Sequence, residues 1–482
     1  RYFLDLLMQV LIGLVWWQIL SRGSFLVRSL GAGELDIDYS LLIGPVLLLL
    51  ALGLLVLRVF PWVVAILARV SEGLGPAWLM QGLRHVSRDP IVPGTLVVLL
   101  MVATALGVIG SAFSSTLERS QRDRALYMAG SDLRIEHNGD RTPTPLLGLS
   151  DVAEEADGTD TAVEVTRIRG SRLIAGFSTE TISILAVDTE DFEDVAWHRP
   201  DFANGKSLEG LMSDIAPGPS TTTNGHGEGI VLPQDTRALS LWVRPGRPDF
   251  NSQLLARLQD SQGFYFDMPI GGLGFNGWRR FEAEITPLPT SGRRFSGGRP
   301  IPLPEVTPPF TLLALRVAAR GPGFTEPGVL FWGGVAAVTP TGERVLSDFQ
   351  TLEGWHAIED YAKPGLYAWE SSESVVLDGA GRSAAFSWAP GSFSLRGIRA
   401  GGPEMPIPAL VSEEILDIAE AEVGDTLNIS ISSTTLPISV VAVTDYFPTL
   451  DPRREPFLVL DLRTLTHYSN MHGKQRAMGR PG

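Results

Sequence analysis

One uncharged run of residues constrains the fold of this chain more than any other feature. Ile91–Phe113 contains 23 consecutive residues without a charged side chain, enough for a helix to cross a hydrocarbon core about 30 Å thick. The residues that follow, STLERSQRDRALYM, contain no Gly or Pro, and Glu118 and Arg122 are opposite charges four positions apart. The pattern predicts one continuous helix from about Gly94 to Met128, a membrane helix that extends into water as a stalk.

Two further apolar stretches precede this helix. Residues 2–20 and 39–57 are each long enough to span a membrane, so the sequence predicts three transmembrane helices within residues 1–113. The connection 58–90 carries four arginines, whereas the connection between the first two spans carries two. By the positive-inside rule, residues 58–90 are cytoplasmic and the residues after about 114 are extracytoplasmic. The chain is therefore expected to be a multi-pass protein of the cell membrane.

Two groups of residues in this region are candidates for contacts with partners. Ala103, Gly107 and Ser111 recur every four positions and form a stripe of small side chains, which lets a neighbouring membrane helix approach closely. In the cytoplasmic connection, PAWLMQGLRHVSRDP predicts an amphipathic helix whose polar side includes Arg84 and Arg88. Such a helix is either an anchor on the membrane surface or a docking surface for a cytoplasmic motor, and the residues alone leave both interpretations open.

The rest of the chain is acidic. Residues 114–482 carry 48 acidic and 32 basic side chains, a balance that argues against nucleic acid as a partner. The sequence contains no cysteine, which excludes disulfides and cysteine-ligated metal sites. The acidic stretch Asp188–Trp197 has carboxylates suited to calcium, but it lacks the spacing and the Gly of an EF-hand loop. A solvated acidic loop is the favoured interpretation.

Short strand patterns dominate this acidic part. Residues 114–233 are predicted to form the stalk and the first part of an extracytoplasmic domain, and residues 396–482 its second part. Residues 234–395 have short runs rich in aromatic and β-branched residues between Gly and Pro turns, which predicts an inserted antiparallel β-sandwich or jelly roll. The expected fold class is α+β: three transmembrane helices, a stalk helix, a mixed α/β outer domain and an inserted jelly roll.

Tryptophan is concentrated in the predicted insertion, which holds six of the eleven in the chain. Trp242, Trp278 and Trp332 are candidates for a ligand face, because aromatic rings on a concave sheet stack on sugar rings. Core packing is the alternative interpretation, since β-sandwich cores also use Trp for its large apolar surface.

Catalytic motifs are absent from the sequence. It contains no phosphate-binding G-x-x-x-x-G-K-[ST] loop, no G-x-S-x-G nucleophile elbow and no H-E-x-x-H metal motif. Gly272–Gly277 matches G-x-G-x-x-G, but the strand-like run after it predicts a turn rather than a dinucleotide site. The sequence therefore predicts no catalytic, cofactor-binding or metal-ligating residues, and the chain is not expected to be an enzyme.

The segment from Arg84 to Ile135 resembles the opening of FtsX-like permeases, the MacB-type subunits of ABC transporters. The similar features are a short cytoplasmic helix ending in Arg-x-Pro, a spanning helix that continues as a stalk, and a strand that here reads AGSDLRI. EVGDTLNISI followed by LPISVVAVTDYFP resembles the outer β-subdomain of that family. The predicted insertion is not part of the family pattern and resembles galactose-binding-like jelly rolls.

This resemblance implies a membrane subunit paired with a separate cytoplasmic ABC ATPase. ATP would bind in that partner, with no cofactor in this chain, and its hydrolysis would move the outer domain. The implied result is export or release of a lipoprotein or peptide, or activation of an outer partner. Arg84, Arg88 and Asp89 would form the ATPase-coupling surface. The family has three spans after the outer domain, so this sequence is expected to be a fragment.

A second function fits the same sequence. The chain is alternatively a membrane-anchored glycan-binding or adhesion protein that acts through the jelly roll on an extracytoplasmic protein or glycan. In that case the membrane lipid holds the anchor, and no ATPase is required. Binding of a glycan by the insertion separates the two hypotheses, because the transport hypothesis does not need it.

Overall fold

The computed structural model describes residues 10, 13, 26–28, 35–37, 53, 55–56, 58–70, 76–88, 91–135, 156–173, 179–203, 205–217, 229–288, 295–296, 299–300, 305–319, 326–361, 363–390, 396–402, 405–431 and 434–472. The chain is a mixed α+β protein and forms two compact units, Arg1–Arg124 and Ala125–Gly482.

Residues 58–70 are helical, and the named helices are, in chain order, α1 (Ala77–Arg88), α2 (Ile91–Ala129), α3 (Phe192–Val195), α4 (Leu208–Ile215), α5 (Glu413–Ala419) and α6 (Leu462–His472). The strands are β1 (Leu26–Arg28), β2 (Leu35–Ile37), β3 (Val165–Leu173), β4 (Thr179–Val187), β5 (Ile230–Val231), β6 (Ala238–Pro245), β7 (Asp249–Gln259), β8 (Tyr265–Leu273), β9 (Arg279–Glu284), β10 (Phe295–Ser296), β11 (Arg299–Pro300), β12 (Thr311–Ala319), β13 (Gly328–Thr339), β14 (Gly342–Ser347), β15 (Trp355–Ala357), β16 (Tyr367–Ser372), β17 (Ser383–Trp388), β18 (Arg396–Ala400), β19 (Ile407–Val411), β20 (Thr426–Ile431), β21 (Thr434–Val443) and β22 (Phe457–Asp461).

The long helix α2 runs without a break for 39 residues, so the predicted continuous helix is confirmed. Pro93 lies in its first turn, where a missing backbone N–H removes no helical hydrogen bond. The helix ends at Gly130, which has a φ of +88° and donates its N–H to the Leu126 carbonyl at 2.7 Å. A glycine in the left-handed conformation is a frequent helix terminator, because it lacks the Cβ that makes this conformation costly.

The structure supports one of the three predicted membrane spans. Of the residues that it describes, Pro93–Ala129 is the one helix long and apolar enough to cross a membrane, and its apolar window is not buried by protein. The predicted spans 2–20 and 39–57 lie almost entirely outside the described residues. A multi-pass arrangement therefore has no support beyond this single helix.

Six strands of the second unit close into a barrel. Their order is β19–β21–β20–β3–β4–β22, and β22 pairs back to β19. The pairs β19–β21 and β22–β4 are parallel, whereas the others are antiparallel. Alternate side chains point inward, as Ile182, Ile184 and Ala186 do in β4, and fill the barrel with aliphatic groups. This closure leaves no sheet edge unpaired.

Helix α4 covers part of the outer surface of the barrel. Leu211 of α4 packs in one cluster with Phe457 and Val459 of β22, so β22 is buried on both faces. The helix begins at Ser207, whose Oγ accepts a hydrogen bond from the Gly210 backbone N–H at 3.2 Å. Such a cap satisfies one of the backbone donors that a helix start leaves open.

Apart from the β10–β11 hairpin, the strands between β4 and β19 form two antiparallel sheets that share one hydrophobic core. Sheet I has the order β15–β18–β12–β7–β8, with β5 added on β12, and sheet II has the order β16–β17–β13–β6–β9, with β14 added on β13. Trp332 and Phe386 of sheet II pack in the core with Leu258 and Leu315 of sheet I. Two facing sheets around a common core form a β-sandwich.

The boundaries of this sandwich differ from the predicted limits of 234–395. Its first strand, β5, starts at Ile230 and pairs with β12. Its last strand, β18, ends at Ala400 and pairs with both β12 and β15. The predicted second part of the outer domain therefore begins later than residue 396. Neither end of the sandwich could be predicted from the sequence, because β5 and β18 are short strands that are defined by their pairing with strands distant in the chain.

Candidate functional site at the end of the long helix

The C-terminal end of α2 is fastened to the barrel by hydrogen bonds. The Tyr127 hydroxyl donates to the Leu450 carbonyl, and the Tyr127 carbonyl accepts from the Thr449 N–H at 2.9 Å. One turn on, the Gly130 carbonyl accepts from the Trp197 N–H at 2.9 Å. These bonds connect the helix to the segment before β22 and to the segment after α3.

Aromatic rings pack around the same point. Phe202 lies edge-on to Tyr127, with ring centroids 5.5 Å apart, and Tyr446 lies 6.3 Å from Tyr127 and 5.7 Å from Phe202. Each such pair contributes about 0.5–1.5 kcal/mol beyond its buried area. We call Tyr127, Gly130, Phe202, Tyr446 and Thr449 the helix joint. Its rings and hydrogen bonds hold the last residues of α2, from Ala125 on, against the segments beside the barrel.

Two positions in the helix joint have backbone conformations that restrict their residue type. A Cβ added at Gly130 would lie 2.5 Å from Thr449 Cγ2, so only glycine fits there. Thr449 itself has a φ of +68°, which costs a β-branched residue about 1–3 kcal/mol. Arg167 of β3 donates to the Thr449 carbonyl at 3.0 Å and also to its hydroxyl. Contacts from α2 and from β3 therefore hold this strained residue in place.

An imidazole lies at the edge of the helix joint. His198 is edge-on to Phe202, with centroids 5.6 Å apart, and its buried Nε2 has no hydrogen-bond partner among the described residues. Burial lowers the pKa of His198 below its ordinary 6.5, and the nearby Asp201 carboxylate opposes that shift. Asp201 is itself paired with Arg199 at 2.6 Å. The imidazole is consequently held in its neutral form more firmly than in an unfolded chain.

A second contact joins the barrel to the sandwich through buried charges. Asp267 of β8 pairs with Arg257 at 3.2 Å and with Arg316 at 3.0 Å, and all three side chains lie on the outer face of sheet I. Arg257 Nε also donates to the Asn470 carbonyl of α6 at 3.0 Å. We call Arg257, Asp267 and Arg316 the buried ionic row. A cation suits the C-terminal end of a helix, where carbonyls lack helical partners.

Helix α6 contacts the sandwich at two further points. Met471 packs against Tyr265 and Ala314 of sheet I, and the Tyr265 hydroxyl lies 3.1 Å from His467 Nδ1. Burial raises the pKa of Tyr265 to about 12, so the phenol stays protonated. At its other end, α6 is capped by Asp461, whose carboxylate accepts from the Thr464 N–H at 2.7 Å. Helix α6 is therefore held by the barrel at its N-terminal end and by the sandwich at its C-terminal end.

The predicted helix-packing stripe has no partner in the part of the chain that the structure describes. Ala103, Gly107 and Ser111 are exposed, and no atom lies within 4 Å of a Cβ added at Gly107. One contact on α2 in the first unit involves Gly53, whose added Cβ would lie 3.7 Å from Val98. The contact on α2 therefore lies nearer its N-terminus than the stripe does.

The predicted coupling residues are only partly described. Arg84 is exposed on α1, and Arg88 is the last residue of that helix. Asp89 lies outside the described residues. The structure thus places Arg84 and Arg88 one turn apart on the predicted amphipathic helix and adds nothing about Asp89.

The three predicted ligand-face tryptophans lie in different environments. Trp332 is fully buried in the sandwich core, so its assignment to a ligand face is wrong: its place on β13 directs it inward. Trp278 is half-buried, lies over Gly333 and donates its indole N–H to the Val376 carbonyl at 2.7 Å. Trp242 is half-buried on β6, on the face opposite the core residues Leu241 and Val243. The alternative of core packing therefore holds for Trp332.

One arginine pairs with two carboxylates of the acidic stretch 188–197, whereas Asp191, Glu193 and Asp194 are exposed to solvent. Arg463 of α6 pairs with Asp188 at 3.2 Å and with Glu190 at 2.6 Å. Among the described residues no group of three or more His, Asp or Glu side chains has the arrangement of a metal site. Asp188 and Glu190 therefore hold α6 against the segment that follows β4, and the other carboxylates face solvent as the sequence predicts.

Sequence reasoning missed the helix joint and the buried ionic row. For Gly130 a signal exists, since a glycine directly after a predicted helix marks its end. Thr449 and Arg257 give no such signal, because their roles depend on residues more than 200 positions away. None of the family models, curated proteins or solved structures compared with this chain matches it.

Proposed function

We propose that this chain is the membrane subunit of an ABC transporter of the FtsX-like, MacB type. In this proposal it converts ATP hydrolysis by a separate cytoplasmic ATPase into motion of an extracytoplasmic domain. The motion exports or releases a lipoprotein or peptide, or activates an outer partner. The chain is then a multi-pass protein surrounded by membrane lipid, its sandwich is a jelly roll, and it binds no ATP itself.

One uninterrupted helix supports this proposal most strongly. At 1.5 Å per residue, the 39 residues of α2 extend about 58 Å, well beyond a hydrocarbon core of about 30 Å. Its first part exposes large apolar side chains on several sides, such as Leu99 at 71% and Leu106 at 64%. A helix that is apolar all round suits lipid, and the charged part beyond Phe113 suits water. Such a rod transmits displacement without bending.

The second unit is organised so that displacement of α2 reaches the whole outer domain. The helix joint holds α2 on the barrel through Tyr127 and Gly130. The buried ionic row then joins the barrel to sheet I through Arg257 and Asn470. Both contacts are made of directed hydrogen bonds, half-buried at the helix joint and buried at the ionic row, and such bonds favour one arrangement over sliding alternatives. An unbroken series of contacts from α2 through the barrel to sheet I favours mechanical transmission over a loosely tethered anchor.

Membrane topology is the first test. Because the chain contains no cysteine, single cysteines at Ser115, Arg134 and Arg69 can be labelled without background. With a membrane-impermeant maleimide on intact cells, we expect Ser115→Cys and Arg134→Cys to react and Arg69→Cys to react only after permeabilisation. Equal labelling of all three positions contradicts the proposal, because the rod would then not cross the membrane.

The ATPase partner is the second test. We expect the detergent-solubilised chain, purified from its own cells, to bring down a nucleotide-binding subunit. Reversing the charge at Arg84 and Arg88 together should remove that subunit, because both lie on the predicted coupling helix α1. The matched control reverses two exposed arginines of the outer unit, Arg344 and Arg454. Recovery of no nucleotide-binding subunit with the unaltered chain contradicts the proposal.

A further inference from the structure

The outward face of sheet II, which points away from the sandwich core, carries an open cavity of about 680 Å³. Strand alternation creates this face: Leu330 and Trp332 of β13 point into the core, so Val329 and Phe331 point outward. Phe331 and Ala385 of β17 are partners in the sheet register, and both line the cavity. The volume lies within the range of about 300–1,000 Å³ that is usual for ligand sites.

One row of residues crosses four strands at this cavity. In the sheet register Phe331 is opposite Arg244 of β6 on one side and Ala385 on the other. Ala385 is in turn opposite Glu370 of β16. Residues that are directly opposite each other in a sheet project to the same face. We call Arg244, Phe331, Ala385 and Glu370 the charged row, since it has a cation at one end, a carboxylate at the other and apolar side chains between them.

The two charges at the ends of the charged row have no ion-pair partner among the described residues. Arg244 is half-buried and Glu370 is exposed. Two further charged side chains line the cavity, Glu373 and Arg382, and they pair with each other at 2.6 Å. A simple anion or a simple cation would meet one end that attracts it and one that repels it. A ligand with an opposite charge at each end complements both.

The middle of the charged row suits an apolar ligand. Phe331 is half-buried, and Val329 and Ala385 line the cavity beside it. Trp242 lies two positions before Arg244 on β6 and projects to the same face, which extends the apolar surface. Four serine side chains also line the cavity, those of Ser371, Ser372, Ser374 and Ser387. Because hydroxyls both donate and accept hydrogen bonds, they can serve the N–H and the C=O of a peptide group.

The distance between the two charges sets the size of the ligand. Arg244 and Glu370 are three strand spacings apart, and at about 4.8 Å per spacing their backbones are about 14 Å from each other. An extended peptide spans about 3.3–3.6 Å per residue, so three or four residues extend about 10–14 Å. A single amino acid is too short to reach both ends of the charged row, and a much longer peptide would place one of its ends beyond it.

We propose that the charged row binds an apolar peptide of three or four residues whose amino and carboxyl ends are both free. The peptide carboxylate pairs with the Arg244 guanidinium, whose planar fork suits a carboxylate. The peptide ammonium pairs with Glu370, and the apolar side chains of the peptide pack on Phe331. The inference goes beyond the proposed function, because the second unit carries the charged row whether or not an ATPase is present.

The test is a calorimetric titration of the full chain in lipid nanodiscs with the peptides Ala-Leu-Ala, Ala-Phe-Ala and Ala-Leu-Leu-Ala. Each peptide is used with both ends free, with its amino end acetylated and with its carboxyl end amidated. We expect at least one free peptide to bind, and each modification to weaken its binding at least fivefold, because one of the two charges is removed. Binding of none of the free peptides, or equal binding of free and modified forms, overturns the proposal.

Substitutions assign each end of the peptide to one residue. Glu370→Gln should weaken the free peptide at least fivefold and remove the effect of acetylation, while the effect of amidation remains. Arg244→Gln should weaken it equally and remove the effect of amidation, while the effect of acetylation remains. A Glu370→Gln variant that still discriminates against the acetylated form overturns the assignment, and this exposed position leaves the core unaltered.

The matched controls are Arg344→Gln and Glu353→Gln, which remove exposed charges elsewhere on the sandwich. Both should retain full affinity and an unaltered melting temperature, and a loss equal to that in the charged row overturns the assignment. The result is separable from the proposed function. A chain that binds the peptides but brings down no nucleotide-binding subunit contradicts the proposed function alone. A chain that brings down that subunit but binds none of the peptides contradicts this inference alone.

Discussion

At the residue scale, the hydroxyl of Tyr127 has a function that its ring does not replace. Tyr127→Phe keeps the contacts with Phe202 and Tyr446 but leaves the Leu450 carbonyl without its donor. We expect this change to lower the free energy of unfolding of the outer unit by about 1–3 kcal/mol, the cost of a buried acceptor left unpaired. Thermal unfolding followed by near-ultraviolet circular dichroism measures it.

The matched control for that prediction is Tyr446→Phe. Among the described residues, the Tyr446 hydroxyl accepts one hydrogen bond, at 3.3 Å, from the exposed side chain of Arg453. We therefore expect a change of less than about 0.5 kcal/mol, as is usual at exposed positions. Equal effects of the two substitutions would show that the Tyr127 hydroxyl does not fasten the end of α2.

His198 predicts how the stability of the helix joint varies with pH. Because burial lowers its pKa in the folded state, the unfolded chain binds a proton more readily as the pH falls through 6.5. The contribution of His198 to the free energy of unfolding is therefore constant above pH 6.5. It decreases as the pH falls from 6.5 to the lower folded-state pKa, and it is constant again below that pKa. His198→Phe should reduce the difference in melting temperature between pH 7.5 and pH 5.

A second substitution tests the sign of this effect. The Asp201 carboxylate opposes the lowered pKa of His198, so Asp201→Asn should lower that pKa further. The decrease in melting temperature towards pH 5 should then become steeper, and adding His198→Phe should abolish the increase. A shallower dependence with Asp201→Asn would show that His198 is not the titrating group.

Residue-scale features were predictable only where they depend on local sequence. Gly130 follows a charged, Gly-free and Pro-free run, and a helix that ends there is expected from those neighbours alone. Thr449 has a strained backbone because Arg167 and the end of α2 hold it, and both come from distant parts of the chain. Trp332 was assigned to the wrong face because a tryptophan suits a ligand face and a core equally well.

At the element scale, the charged half of α2 is expected to act as a rigid rod. Ser120→Pro removes one backbone hydrogen bond and introduces a clash, at a cost of about 3 kcal/mol in a helix interior. Ser120→Ala is the matched control, since alanine favours a helix. Spin labels at Ser111→Cys and Met128→Cys should lie about 26 Å apart along a straight helix. We expect a narrow distance distribution in the control and a broad one with proline.

The same pair of variants relates the rod to function. If α2 transmits motion, Ser120→Pro should abolish transport while leaving insertion and ATPase binding intact, because the substitution lies beyond the uncharged segment. Ser120→Ala should retain transport. Full activity in a variant whose label distances have broadened would separate transport from the stiffness of this helix.

Elements differ in how much of their arrangement the sequence determines locally. Helix α2 follows from an uncharged run joined to a helical charge pattern, so its existence and its length were both predictable. The barrel was not, because its closure depends on the parallel pairs β19–β21 and β22–β4, which strand patterns do not specify. The inserted sheets were predictable as a β-sandwich, but β5 and β18 at its ends were not, since each is short and defined by its partners.

At the scale of the whole molecule, we expect the buried ionic row to couple the motion of the barrel to that of the sandwich. Asp267→Asn removes the carboxylate that Arg257 and Arg316 share, and it leaves their buried charges without that compensation. We expect a loss of about 3–5 kcal/mol, measured by denaturant unfolding of the full chain. Hydrogen exchange should increase in α6 and in β7, because Arg257 also holds the Asn470 carbonyl.

Two further variants distinguish this coupling from a general effect of charge removal. Glu343→Gln breaks an exposed pair with Arg280 on sheet II, and its cost should stay below about 1 kcal/mol. Replacing all three members of the row, as Arg257→Met, Asp267→Leu and Arg316→Met, should recover much of the stability lost in Asp267→Asn, because no charge of the buried ionic row then lacks its partner. Hydrogen exchange in α6 should nevertheless stay high in this triple variant, since the donor to Asn470 is gone. Slow exchange there would show that apolar packing around Met471, rather than the ionic row, holds the sandwich on the barrel.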